Sequence, residues 1–172
     1  TAWVKHFNKL GYDAASICHS DSVVDLVKAH HANEDVFPRD IDIVTGGFPC
    51  QDFSVAGKRM GFDSGKDHTG KKRTDNEPTE ETRGKLYFWM KQVIDIVKPK
   101  IFIAENVKGL TNLGDVKDII RNDFSSADGN GYIVLNPKVL HAADYGVPQS
   151  RERVIFIGFR KDSLTEMALH AL

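Results

Sequence analysis

The feature that most constrains the fold is a short apolar run that ends abruptly in two glycines. Residues 41–45 are apolar enough for an interior strand, and Gly46 and Gly47 end that strand. Further strands are predicted at residues 14–18, 101–104, 132–140 and 154–159. Helices are predicted at residues 2–10, 85–97 and 116–124, and another helix follows a cap at Asp21 or Ser22. Strands that alternate with helices predict an α/β fold with a mostly parallel sheet, and the last two strands favour an antiparallel edge.

Reactive side chains stand at the ends of three predicted strands. Cys50 follows the first of them, Glu105 ends the second, and Arg151 and Arg153 open the last. Ligands of open α/β sheets bind where the strands end, and a thiol there is a candidate nucleophile. A lone cysteine is more often an inert core residue, so the prediction of a catalytic site rests on the grouping of the cysteine with the glutamate and the arginines at the strand ends. The two arginines alternate along an extended segment and therefore share one face.

The composition is that of an ordinary globular domain. The chain has 172 residues, 41% of them hydrophobic, and no apolar run long enough for a membrane span. Two cysteines make no disulfide framework, which favours a reducing compartment, and no metal site is predicted. A net charge of −1 does not favour DNA binding, although residues 58–73 are basic. A phosphate contact and a solvated loop explain that basic segment equally well.

At this point the chain resembles the cytosine-C5 DNA methyltransferases. The resemblance rests on segments in the family's order, at residues 48–58, 83–86, 105–107 and 144–153. It implies a Rossmann-like sheet with helices on both faces, double-stranded DNA as the substrate and S-adenosylmethionine as the methyl donor. It also implies a restriction–modification enzyme of the bacterial cytoplasm, associated with the nucleoid. Because C6 of cytosine is inaccessible inside a duplex, the target base must be flipped out, and residues 51–84 become a candidate lid.

The resemblance also implies roles for individual residues. Cys50 would attack C6 of cytosine, a protonated Glu105 would assist at N3, Arg153 would bind O2, and Arg151 would support the nucleophile region. The residues implied in DNA binding are Gln51, Ser54, Lys58 and Gln149, and those implied in cofactor binding are Asp21, Asp35, Pro49 and Leu86.

Departures from the family concentrate in cofactor binding and in length. The glycine-rich turn that approaches the cofactor is missing, and His19 stands where the family has an acidic ribose ligand. We expect residues 1–160 to form a partial catalytic domain and 161–172 to begin the connection to a target-recognition domain absent from this chain. A non-catalytic or split subunit that needs a partner chain is the alternative. The tRNA-methylating branch is disfavoured, because its Cys-Phe-Thr tripeptide does not occur.

Overall fold

The computed structural model describes residues 2–18, 20–48, 87–112 and 115–172. Several predicted site residues lie outside these ranges, namely His19, Pro49, Cys50, Gln51, Ser54, Lys58 and Leu86. The chain divides into two compact units, Thr1–Val36 and Phe37–Leu172. Within the described residues, no helix is both long and apolar enough to cross a membrane.

The first unit is helical, which corrects one prediction. Its elements are α1 (Ala2–Lys9), α2 (Ala14–Ile17) and α3 (Val23–His31). The strand predicted at residues 14–18 is wrong, since α2 occupies that segment. The Asp13 side chain caps α2 by accepting a hydrogen bond from the amide of Ala15, 3.1 Å away, and alanine favours helix at the following positions. Of the two caps predicted for the next helix, Asp21 and Ser22, the structure uses Ser22, whose hydroxyl accepts a hydrogen bond from the amide of Val24.

The second unit contains the predicted sheet. Its elements are β1 (Ile43–Gly47), α4 (Tyr87–Val97), β2 (Ile101–Val107), α5 (Val116–Ser125), α6 (Ala127–Asn130), β3 (Tyr132–Val134), β4 (Lys138–His141), β5 (Glu152–Arg160) and α7 (Glu166–Ala171). The single strand predicted at 132–140 is two strands, because Pro137 between them has no amide hydrogen to donate. β2 extends three residues beyond the predicted run, so Glu105 lies inside the strand.

The sheet is mixed, with one reversed strand. β1 pairs with β2 in parallel, whereas β5 pairs antiparallel with β2, β3 and β4. Four of the described strands therefore run in one direction and β5 opposes them. β3 and β4 share the side of β5 away from β2. The α/β fold class and its antiparallel edge are confirmed.

One face of this sheet carries the core. Alternate residues of β2 and β5, among them Phe102 and Phe156, are fully buried and join a cluster with side chains of α4 and α5. A Cβ atom on Gly158 would overlap the ring of Phe102, its partner on β2, so only glycine fits at this position. Because strand residues alternate between faces, Asn106 points into the core and Glu105 to the opposite, partly exposed face.

Candidate active site

Three charged side chains meet at the carboxyl ends of β1 and β2. Glu105 Oε1 lies 2.6 Å from Arg153 Nε and 3.6 Å from Arg151 Nη2. The Glu105 side chain is 38% exposed, and the Arg153 side chain 26%. The contact at 2.6 Å is an ion pair, and it draws the carboxyl group toward the Arg153 guanidinium. The constellation predicted from the ends of two strands is therefore assembled for these three residues.

The strand register explains why these residues meet. In the antiparallel pair of β2 and β5, Glu105 faces Ile155 and Val107 faces Arg153. Glu105 and Arg153 are thus diagonal neighbours on one face, a distance that long side chains can span. Arg153 also donates from Nη1 to the carbonyl of Glu152, 2.8 Å away, which leaves Nη2 unused by either contact.

Arg151 is held by the backbone just before β5. The amide of Ala142 donates to the carbonyl of Arg151 at 2.8 Å and so extends the pairing of β4 with β5. Between these two residues the chain turns through Gly146, whose φ of +79° favours glycine. Gln149 lies in this exposed turn, and its backbone amide donates a hydrogen bond to the Val147 carbonyl. The turn presents Arg151 to Glu105 and keeps Gln149 accessible.

Lys108 and Glu152 form a separate ion pair, which shares no residue with the cluster of Glu105, Arg151 and Arg153. Lys108 Nζ is 2.7 Å from Glu152 Oε1, and the lysine's hydrogen bond holds the pKa of the Glu152 carboxyl below its usual value. Both side chains are exposed, so this pair contributes little to stability. Glu152 therefore serves as a natural control for charge changes at Glu105.

A buried asparagine anchors the end of β1. Asn106 is only 1% exposed, and among the described residues it is the single one in the polar or charged class that is buried. Its Nδ2 donates to the carbonyl of Phe48 at 3.2 Å, while its Oδ1 accepts from the amide of Val107 at 2.8 Å. The ring of Phe48 is buried against Tyr87, Phe124 and Phe156. Both the ring and the carbonyl of Phe48 are thus fixed, two positions before Cys50 in the sequence.

Sequence reasoning assigned no role to Asn106. The sequence signal was its position, because Asn106 lies four residues after Phe102 and two after Ala104 in the strand and so falls on the same buried face. A polar residue at a buried position must find hydrogen-bond partners, which predicts a structural contact without identifying the partner.

We expect Asn106→Ala to lower the free energy of unfolding by about 1–3 kcal/mol, since it leaves the buried carbonyl of Phe48 and the partly buried amide of Val107 without their partner. Urea unfolding of the chain measures this loss. The matched control is Tyr132→Phe, which removes a buried hydrogen bond of 2.6 Å from the tyrosine hydroxyl to the Pro99 carbonyl, at the other end of β2. Both variants should lose stability by a similar amount, since each loses a hydrogen bond to a backbone carbonyl. An Asn106→Ala chain with the parent's free energy of unfolding would contradict an anchoring role.

The two acids implied in cofactor binding lie in the first unit. Asp21 is exposed and directly precedes Ser22, the cap of α3, whereas Asp35 is exposed and follows that helix. Exposed carboxylates can accept hydrogen bonds from ribose hydroxyls or from an adenine amino group. Their chemistry thus fits an adenosine ligand. The other residues implied in this role, Pro49 and Leu86, lie outside the described ranges.

Comparison with known proteins identifies the family of this chain. The profile of the C-5 cytosine-specific DNA methylase family matches residues 19–170. Type II methyltransferase M.HpaII of Haemophilus parainfluenzae is 39% identical over 132 residues, which cover 73% of this chain and 30% of that protein. Type II methyltransferase M.NgoFVII of Neisseria gonorrhoeae is 35% identical over 166 residues, which cover 95% of this chain and 38% of that protein.

A solved structure shows a similar fold. It is a prophage-encoded Escherichia coli protein described as a DNA modification methyltransferase, with a TM-score of 0.51 and 27% identity over 83% of this chain and 33% of that one. The chain thus spans about a third of the length of the relatives it matches. The profile covers most of the chain and includes the Glu105, Arg151 and Arg153 cluster, and the chain belongs to the C-5 cytosine-specific DNA methylase family.

Proposed function

We propose that this chain is the catalytic part of an enzyme that transfers a methyl group to C5 of cytosine in double-stranded DNA. The observation that carries the proposal is the carboxyl group of Glu105, fixed by Arg153 at 2.6 Å beside the end of β1. Names of the relatives, which are Type II methyltransferases, support a restriction–modification role. Methylation of C5 requires covalent catalysis and acid–base catalysis, and the cluster of Glu105, Arg151 and Arg153 supplies the acid–base part.

In the proposed mechanism, the Cys50 thiolate forms a bond to C6 of a flipped cytosine. As the C5–C6 double bond breaks, Glu105 transfers its proton to N3, so no full negative charge accumulates on the ring. C5 then has the electron density of an enamine and can accept a methyl group. Water then accepts the C5 proton and N3 returns its proton to Glu105. The electron pair left at C5 re-forms the C5–C6 double bond as the bond from C6 to the Cys50 sulfur breaks and the thiolate leaves.

The arginines hold the reacting groups in this scheme. Arg153 orients Glu105 through Nε, and its Nη2 can donate to the cytosine carbonyl O2. Arg151 adds a second positive charge near the same carboxyl oxygen. The residues proposed to hold S-adenosylmethionine are Asp21, Asp35, Pro49 and Leu86, and the bound cofactor would supply an electrophilic methyl group attached to a sulfonium. Gln51, Ser54, Lys58 and Gln149 contact the DNA strand around the extracted base.

Activity is proposed to need more protein than these residues. We assign 1–160 to the catalytic domain and 161–172 to a connection with a target-recognition domain, which is supplied in cis or by a partner chain. The supplemented enzyme denotes residues 1–172 together with the segments that the longer relatives carry in addition. A subunit that only supports another active chain is the competing function.

We expect residues 1–172 alone to bind S-adenosylmethionine and duplex DNA weakly and to transfer no methyl group. The reason is that small-molecule sites bury most of their ligand, and a net charge of −1 provides little attraction for phosphates. Calorimetry with the cofactor tests the first part, and transfer of labelled methyl groups to DNA tests the second.

The supplemented enzyme should restore transfer. Tight cofactor binding by residues 1–172 alone would contradict the requirement for further segments. A supplemented enzyme that binds DNA but never methylates cytosine would overturn the proposed function in favour of the supporting subunit.

A further inference from the structure

We propose that Gly47 is a positioning residue for Glu105, because its missing side chain leaves the space that one oxygen of the Glu105 carboxyl group occupies. This inference rests on the proposed function and names a position that the chemistry requires in addition to the reacting groups. Gly47 itself touches no reacting atom in this proposal. It acts through the orientation of Glu105.

The register of β1 and β2 places the two residues side by side. Gly47 is the parallel partner of Glu105, so their side-chain directions fall on the same face of the sheet. A Cβ atom added to Gly47 would lie 3.3 Å from Glu105 Oε2 and 3.8 Å from the Glu105 carbonyl oxygen. The first distance is tighter than an ordinary van der Waals contact, so the carboxyl group would have to shift.

The two oxygens of Glu105 therefore have different surroundings. Both ion pairs of this residue within the described ranges use Oε1, which Arg153 and Arg151 approach. Oε2 lies over the bare backbone of Gly47, at the strand end that leads to Cys50. The arginines hold one oxygen while the glycine leaves room for the other. Oε2 is thus the oxygen that can serve N3 of the base.

The shift forced by a methyl group would be small but costly for chemistry. With Oε1 held at 2.6 Å by Arg153, the carboxyl group can only pivot, and Oε2 moves by tenths of an ångström. Proton transfer depends on hydrogen-bond geometry, and a misplacement of about 1 Å can cost about a hundredfold in rate. The expected loss of kcat for Gly47→Ala is about tenfold, as a smaller displacement implies.

The neighbouring glycine provides a matched control. A Cβ atom added to Gly46 would point to the other face and lie 3.1 Å from Sδ of Met90, the far end of a flexible side chain. Methionine adapts its rotamers readily, so this contact can relax. Gly46→Ala introduces the same methyl group into the same strand without approaching Glu105. It should keep the kcat of the parent.

The test compares Gly47→Ala and Gly46→Ala in the supplemented enzyme, measured as kcat and KM for DNA with thermal unfolding as a check. Gly47→Ala should lower kcat about tenfold with an unchanged KM, because only an interaction of the transition state is altered. Each variant is also combined with Glu105→Asp, whose shorter side chain withdraws the carboxyl group from residue 47. In that background Gly47→Ala should have little further effect on kcat.

Each outcome decides a separate point. If Gly47→Ala and Gly46→Ala behave alike, or if the Gly47→Ala loss is the same in the Glu105→Asp background, the positioning role is wrong and the proposed function stands. If Gly47→Ala instead impairs folding, Glu105→Asp should restore the melting temperature, and failure to restore it overturns the role. A supplemented parent that does not methylate overturns both proposals.

Discussion

Replacing Cys50 by alanine is expected to abolish the covalent adduct between the supplemented enzyme and DNA that contains 5-fluorocytosine. In the proposed mechanism the thiolate adds to C6, and a fluorine at C5 cannot leave as a proton does, so the adduct persists. A thiolate is an intrinsically strong nucleophile, and alanine offers none. Denaturing electrophoresis of the enzyme with labelled DNA measures the adduct directly.

Cys18 provides the control for this experiment. It is a half-buried free thiol at the end of α2, in the first unit of the chain. Cys18→Ala should retain the adduct and lose only packing, at a cost of about 1–3 kcal/mol in the free energy of unfolding. An adduct that survives Cys50→Ala and disappears with Cys18→Ala would reverse the assignment.

Glu105→Gln is expected to lower kcat by about 10²–10⁴-fold while DNA binding is retained, since an amide of the same size cannot transfer a proton to N3. An interaction made mainly in the transition state lowers kcat and kcat/KM together. Steady-state kinetics with a direct measurement of DNA affinity separate these quantities.

Glu152→Gln is the corresponding control. It neutralises another acid of the same sheet edge, the one paired with Lys108, and leaves Glu105 and its arginines unchanged. We expect near-parental kcat from this variant. A Glu105→Gln enzyme with normal kcat and lost DNA affinity would give Glu105 a role in binding the substrate instead of in acid–base catalysis.

Local patterns in the sequence predicted much of the second unit. Apolar runs bounded by glycine or charge identify β2 and β5, because interior strands need apolar residues on their buried face. The same patterns place Glu105 and Arg153 near strand ends. They failed at residues 14–18, where short apolar runs suit strand and helix alike and the cap by Asp13 decided for helix.

By itself, the sequence determined the α/β class, the residue types at the site and the family's segments, because each depends on neighbours a few positions apart. Only the tertiary structure decided which groups touch. The bond from Asn106 to the Phe48 carbonyl joins residues 58 positions apart, and the space above Gly47 exists only because β1 lies beside β2. Such contacts follow from strand register, which depends on packing of the whole sheet and leaves no local trace in the chain.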